Sequence, residues 1–284
     1  MDTAPYRRWR KAHEIERIWP ETLLKKQEAY CVSACSRFKE MNFAEDHAWV
    51  LSCGGNRISA LLLHSKNSLF PVFDGQTGLP FPPFLHRFLS NITIHALHGL
   101  SHDICELERI LEMASIFAKE RRDFNLMTLE YPQDVCAVKT PKALKLRPAL
   151  HSDLDMLTEL QENYLKEEVL RKPKDYNRSI CRLGLKKMIE QDKAAVAIID
   201  GTIAGKINTN AFAFNRYQLG GVYVLPQYRG QGIGSAMTAA FARTLLAEKH
   251  GISLFVKKDN IAAETVYRRC GFTKIADYRI VYMQ

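Results

Sequence analysis

The sequence predicts a mixed α/β chain, of the α+β kind, in which two domains each carry a mostly antiparallel twisted sheet flanked by helices. Three observations predict it. The 284 residues suffice for two domains of ordinary size and a substantial core. Short apolar runs punctuated by Gly, Asn and Asp turns alternate with segments of helical spacing, which places strands and helices in one chain. Residues 132–148 are polar and interrupted, with Thr140-Pro141 as the link, so the domains are expected over 1–141 and 142–284.

In the first half, residues 13–45 have helical spacing. Ile15, Ile18 and Trp19 precede Pro20, and Leu23, Leu24, Tyr30, Val32 and Phe38 follow it. Pro20 lacks an N–H and disfavours helix in the residue before it, so it is expected to separate one helix from the next. Residues 48–52 and 57–64, joined through Gly54-Gly55-Asn56, read as a hairpin. Residues 70–73 add a strand, and Pro80, Pro82 and Pro83 mark a loop. Residues 92–99 read as a strand that turns at Gly99 into an amphipathic helix through about Lys119, with Ser101 or Asp103 as its cap.

In the second half, residues 144–148 alternate as a first strand, and His151-Ser152-Asp153 opens a helix whose Leu154, Leu157, Leu160, Tyr164 and Leu165 form one stripe. At about 100° per residue Glu168 falls on that stripe and Glu167 outside it. A carboxylate on the inner face is paired or functional; the plainer reading is an end-of-helix side chain reaching solvent. A second helix is expected near 175–191. Asp200-Gly201 between the apolar runs 194–199 and 202–207 signals a hairpin. The chain continues toward Phe214, turns at Asn215-Arg216 and returns over 218–224.

Residues 219–234, Leu-Gly-Gly-Val-Tyr-Val-Leu-Pro-Gln-Tyr-Arg-Gly-Gln-Gly-Ile-Gly, are a strand ending near Pro226, a glycine turn and the start of a helix. Alternate glycines let backbone approach a ligand closely, and the first N–H groups of a helix are unpaired donors, so the place suits a phosphate. It is neither a P-loop, because Ser235-Ala236 follows Gly234, nor a G-x-G-x-x-G fingerprint. Residues 252–272 then read as strand, Asx turn, short helix and a stop at Gly271. The hairpin at Asn56 and the turn at Gly99 echo Gly201 and Gly230, which reads the first half as a diverged repeat.

Arg229-x-x-Gly232-x-Gly234 after a V-x-V-x-P strand resembles the pyrophosphate-binding motif of the GNAT superfamily of N-acetyltransferases. The series Asn260, Ala263, Tyr267, Gly271, Phe272 is similar to that superfamily's second signature. The whole chain resembles its bacterial tandem type, with a degenerate N-terminal half that lacks the coenzyme motif. The resemblance implies acetyl-CoA as co-substrate. The backbone of Arg229, Gly230, Gln231, Gly232, Ile233 and Gly234 is implied around the pyrophosphate. Val222, Tyr223 and Val224 are implied along the pantetheine arm, with the Val224 N–H facing the oxyanion. Tyr267 is implied as the acid that protonates the leaving thiolate; on its residues alone it is equally a core aromatic. Asn260 either bonds the coenzyme arm or starts its helix. Many relatives carry an acidic residue on the central strand, and Gly220, Gly221, Val222 and Tyr223 include none. Glu168, Tyr223 or a water chain is left to take the ammonium's proton, and Glu168 is preferred. Cys270 is expected to be a packed thiol.

Composition narrows the partners. The formal net charge of +9 and pI near 9.2 favour an anionic partner such as coenzyme A. The basic residues are spread along the chain, which argues against nucleic acid, and Arg7, Arg8, Arg10 and Lys11 around Trp9 read as a solvated basic terminus. Seven cysteines without a C-x-x-C pair suit a reducing cytoplasm. No metal is expected, since His64, His86, His95, His98 and His102 do not have the spacing of a ligand set, and no stretch is apolar enough for a membrane. The expected activity is transfer of an acetyl group to a primary amine of a small molecule or peptide by a monomer or homodimer. The alternative is a non-catalytic protein that senses acetyl-CoA.

Overall fold

Among the described residues, twelve strands hydrogen-bond into a single sheet with helices on both faces. The structure, a computed structural model, describes residues 8–52, 58–80, 82, 85, 88, 92–169, 176–191, 193–248 and 251–283. The Gly54-Gly55-Asn56 turn, Cys53, Arg7, Pro83 and His86 lie outside these. The first half supplies β1 (Arg8–Lys11), α1 (Ile18–Lys26), α2 (Val32–Lys39), β2 (His47–Ser52), β3 (Ile58–Ser65), β4 (Ser68–Val72), β5 (Ala96–Leu100), α3 (Ser101–Glu112) and β6 (Ala118–Leu129). The second half supplies β7 (Leu144–Pro148), α4 (Leu154–Tyr164), a π-helical turn (Leu165–Val169), α5 (Arg178–Glu190), β8 (Ala194–Ile199), β9 (Thr202–Phe212), β10 (Arg216–Val224), α6 (Ile233–Ala247), β11 (Gly251–Lys257), α7 (Ile261–Arg269) and β12 (Thr273–Met283).

The sheet order is β1-β2-β3-β4-β5-β12-β6-β11-β10-β9-β8-β7. Replacing each strand by the one six places away in sequence gives the same row read backwards, so the two halves are topological repeats about an axis between β12 and β6. The last strands are exchanged: β12 completes the row of β5, and β6 completes the row of β11. In each half one pair is parallel, β4 with β5 and β10 with β11, and both ladders are short.

Packing follows from alternation in the strands and 3.6-residue spacing in the helices. Ile233, Met237, Phe241 and Leu245 of α6 cover Leu219, Ile252 and Leu254 on one face, while Leu157 and Leu160 of α4 and Leu185 and Ile189 of α5 cover Val196 and Tyr223 on the other. Ile104, Leu107 and Leu111 of α3 do the same for Leu62 and Leu97. Ala213, from the β9–β10 turn, is buried among α1 and α2 with Phe38. There the Glu28 carboxylate accepts the amides of Phe214 and Asn215, each at 2.7 Å, and Lys39 Nζ donates to the Ala213 carbonyl at 2.9 Å. The two halves are thus joined by a shared sheet and a shared core.

Several expectations for the first half are corrected. Arg8–Lys11 keeps Arg8 and Lys11 exposed, as expected of a basic terminus, but is an edge strand with Trp9 buried at 5% exposure and its indole N–H on the Pro80 carbonyl. Pro20 does not separate one helix from the next; it lies in the first turn of α1, where its missing N–H costs nothing. The strand predicted over 92–99 begins at Ala96. The helix predicted to Lys119 ends at Glu112, and residues 118–129 form a twelve-residue central strand. The charged run Lys119-Glu120-Arg121-Arg122 hid that strand, because its charges are accommodated by ion pairs, Arg121 with Glu108 and Arg122 with Glu120. Neither Ser101 nor Asp103 caps α3; its N-cap is Leu100 without a side-chain bond.

Candidate active site

β10 and β11 pair only from Arg216↔Gly251 to Gln218↔Ser253 and then diverge. The divergence opens a slot of about 680 Å³ between Leu219–Val224 of β10 and Phe255–Lys257 of β11. Its sides are the glycine turn, the start of α6, Asn260 and Tyr267 around α7, Tyr164, and Glu167 and Glu168 of the π-helical turn. Its far end is built by Arg122 and Phe124 of β6 and Ile280 and Tyr282 of β12.

A bulge in β10 shapes one wall, where the register with β9 shifts between Gly220 and Tyr223. Gly221 is left-handed, with φ +57°, and a Cβ there would meet the Asn208 side chain, with Asn208 Cγ at 2.7 Å and Lys206 Nζ at 2.8 Å. A Cβ at Gly220 would sit 2.5 Å from Asn210 Cγ. Close side-chain approach thus calls for glycine at both positions, and at Gly221 the left-handed φ does so as well. Val222 and Val224 pack toward α6, and Tyr223 packs between them on the opposite face with α4 and α5.

The glycine turn leaves the start of α6 open. Gly232 is the N-cap at φ +82°, no side chain caps the helix, and the first backbone bond runs from Ala236 N–H to the Gly232 carbonyl. The preceding amides of Ile233, Gly234 and Ser235 therefore lack helical acceptors and border the slot, where helix-end charge favours an anion. The Arg229 side chain is turned toward the protein: Nε donates to the Val224 carbonyl at 2.9 Å and Nη2 to Glu167 Oε2 at 2.9 Å. Gln231, expected to contribute its backbone, turns its side chain outward. It is exposed, its amide points at the Gln227 carbonyl, and it does not line the slot.

Tyr267 lies across the slot from β10, and burial, followed by its neighbours Tyr164 and Glu168, pushes its phenol well above the ordinary tyrosine range. It is held protonated. Asn260 is the N-cap of α7, accepting from the Ala263 amide at 3.0 Å, and its Nδ2 donates to Glu168 Oε1 at 3.2 Å. Glu168 also pairs with Lys257 at 3.2 Å. Glu167, expected outside the inner stripe, is exposed, yet it borders the slot and accepts the Tyr223 hydroxyl at 2.7 Å. The π-helical turn at 165–169 widens the local register and brings both carboxylates to the slot, which a stripe extrapolated at an α-helical pitch does not show. Burial and then Glu167 push the Tyr223 phenol up to about 12, while the bonds from Tyr223 and Arg229 outweigh burial and hold the Glu167 carboxyl below its usual range. Cys270 is a packed thiol on the Ser235 carbonyl, raised to about 11 by burial. Among the described residues no His, Cys, Asp or Glu cluster could hold a metal ion, and no helix is long and apolar enough to cross a membrane.

The expected counterpart of this site in the first half is also corrected. By sheet order β4 and β5 correspond to β10 and β11, so the match to the Gly230 turn is the loop after β4, not the turn at Gly99. In that loop the Phe73 amide donates to Asp103 Oδ2 at 3.1 Å and the Leu79 amide to Glu106 Oε1 at 2.7 Å. Carboxylates of α3 thus occupy loop amides, and a Cβ at Gly99 would be 3.2 Å from Pro71 Cγ, so the strands are closed there.

Sequence reading missed Tyr164, Asn208, Asn210, Lys206 and the β6 and β12 side chains at the far end. A lysine inside the apolar run Ile203-Ala204-Gly205-Lys206-Ile207 was the one legible signal.

Residues 154–272 match the Acetyltransferase (GNAT) family. Mycothiol acetyltransferase of Streptomyces griseus subsp. griseus is 45% identical over 78 residues, 26% of this chain. The match spans 25% of that curated relative's length. The GCN5-related N-acetyltransferase from Sphaerobacter thermophilus superposes with a TM-score of 0.65 at 14% identity, over 97% of this chain and 94% of its own. A tandem GNAT protein from the clavulanic acid biosynthesis pathway does so at 0.56 and 13%, over 97% and 98%. At such identities these likenesses concern the fold.

Proposed function

We propose, from the premise that residues 154–272 form an acetyltransferase domain of the GNAT family, that the protein moves the acetyl group of acetyl-CoA to a primary amine by direct attack. The observation that carries the reading is the coincidence of the open α6 amides with the slot between β10 and β11. The backbone of Arg229, Gly230, Gly232, Ile233 and Gly234 surrounds the pyrophosphate, and Val222–Val224 runs beside the pantetheine arm. The acyl group then lies at the β10 bulge, facing Tyr267. Transfer releases a thiolate, and Tyr267, kept protonated by burial, supplies the proton. Glu168, held by Asn260 and Lys257, takes the ammonium's proton through water. The acceptor enters from the Arg122, Phe124 and Tyr282 end, so the first half borders its pocket. The cysteine usage supports a cytoplasmic location.

Both slot carboxylates are engaged in ion pairs, which favours a second reading as an acetyl-CoA sensor without turnover. Calorimetry with CoA and acetyl-CoA, followed by thiol release on a panel of primary amines, tests both. Heat with acetyl-CoA and thiol release above background establish the enzyme. Heat without thiol release leaves the sensor, and absence of heat at millimolar coenzyme refutes both.

A further inference from the structure

Lys206, on β9 beside the bulge, is 2% exposed and has no carboxylate partner among the described residues. Its Nζ donates to the Gly221 carbonyl at 2.8 Å and to Asn208 Oδ1 at 2.9 Å. Two acceptors match the two N–H groups of a neutral amine; an ammonium would bring a third with no oxygen to receive it. The Tyr164 ring lies 5.2 Å from Nζ. Its attraction for a cation is smaller than the cost of an unpaired buried charge. Burial accordingly pushes this amine down to about 7, opposed by the nearby Cys181 thiol.

The amine stands where the bulge needs it. Gly221 is the residue of β10 in the left-handed conformation, and its carbonyl accepts from Lys206 while its amide faces the Tyr164 hydroxyl. Around Lys206 stand Tyr164 of α4, Cys181 of α5 and Tyr223 of β10, with Glu167, Glu168 and Tyr176 beyond them. None of these offers the amine a close negative charge that would hold a proton on it.

We propose that Lys206 is a positioning residue for acetyl transfer: its uncharged amine fixes the Gly221 carbonyl and hence the strand wall beside the acyl group, and protonation of that amine disables the wall. The inference rests on the acetyl-transfer reading above. A proton on Nζ introduces a donor that must be turned toward water or a carboxylate, and the bulge then loses its prop.

The test combines kinetics with a measurement independent of turnover. For the wild type, K206Q and K206M, kcat and the KM for acetyl-CoA are measured from pH 5.5 to 9 with an amine that supports thiol release. Wild-type kcat should fall about tenfold per pH unit below about 7. K206Q, which keeps an uncharged donor, should lose that limb and retain a plateau within about tenfold of the wild type, with KM little changed. K206M, which leaves the carbonyl unheld, should lose about a hundredfold in kcat at every pH, as misplacement near 1 Å does. Calorimetry with acetyl-CoA checks that each variant keeps its slot. In parallel, the carbon signal beside Nζ is followed by NMR in wild-type protein labelled at lysine, with K206Q identifying it. A titration midpoint at the ordinary lysine value, an acidic limb that persists in K206Q, or wild-type kcat in K206M would each overturn the proposal. Absence of thiol release from the wild type with every amine defeats the enzymatic reading instead, and the NMR midpoint still decides the charge on Lys206.

Discussion

Gly221→Ala is the most direct probe of the bulge. The residue sits at φ +57°, where an L side chain costs roughly 1–2 kcal/mol. Its methyl would also overlap the Asn208 carboxamide and come 2.8 Å from Lys206 Nζ. Overpacking of that kind adds roughly 1–3 kcal/mol, so the expected loss is roughly 2–5 kcal/mol. Asn208 has more of its side chain in the way and is held by bonds to the Thr209 carbonyl and to Asn210, so most of the overlap falls on Asn208. Asn208→Ala should therefore relieve the packing cost in the double variant and leave the conformational cost. Urea unfolding followed by circular dichroism on the wild type, both single variants and the double variant gives the coupling, expected at about 1–3 kcal/mol in favour of the double variant. A Gly221→Ala protein within about 0.5 kcal/mol of the wild type, or losses that simply add, would refute the packing argument.

Other consequences can be read in the same preparations. Tyr267→Phe should bind acetyl-CoA as the wild type does and lose about 10²–10⁴ in kcat; normal turnover removes its role as the acid. Gly232→Glu puts a carboxylate at the left-handed N-cap beside the open amides and should abolish the calorimetric signal with CoA, and retained binding would move the pyrophosphate elsewhere. Because Asp103 and Glu106 occupy two of the described loop amides of the first half, calorimetry should count one coenzyme per chain, and a count of two contradicts that closure. Burial, with Arg37 adding to it, lowers His98 to about 4, below an unfolded value of 6.5. The unfolded chain then binds more protons as pH falls through 6.5, so stability is lost from there to pH 4 by roughly 3 kcal/mol. In His98→Phe this contribution to the acid slope should vanish, and parallel curves for the two proteins would contradict it.

What could be read from residues alone was what backbone geometry demands locally. Gly230 and Gly232 are left-handed, so the turn before α6 had to be written in glycine, and Asn260 and Gly271 start and stop α7 by local bonding. The order of elements in the second half was legible for the same reason. The first half was less so, because its strand at 118–129 carries charges matched by partners distant in sequence, such as Asp123 with Arg279, which periodicity does not register. That the exposed Glu167 still reaches the Tyr223 hydroxyl was not legible, because a π-helical turn has no sequence signature. Lys206 stood out as a lysine in an apolar run, but what it holds, Asn208 on its own strand and the Gly221 carbonyl on the next, is set by pairing between strands.

The exchange of β6 and β12 bears on how the molecule can be made. During synthesis, residues 8–129 emerge with β5 and β6 still lacking the partner that separates them, and that partner is residues 273–283. Until those residues arrive, two adhesive borders face the cell, and a neighbouring polypeptide's strand could settle into either. Expressing residues 1–141 and 142–284 as separate pieces would leave the same borders bare, so the pieces should be sparingly soluble alone and recover when produced together.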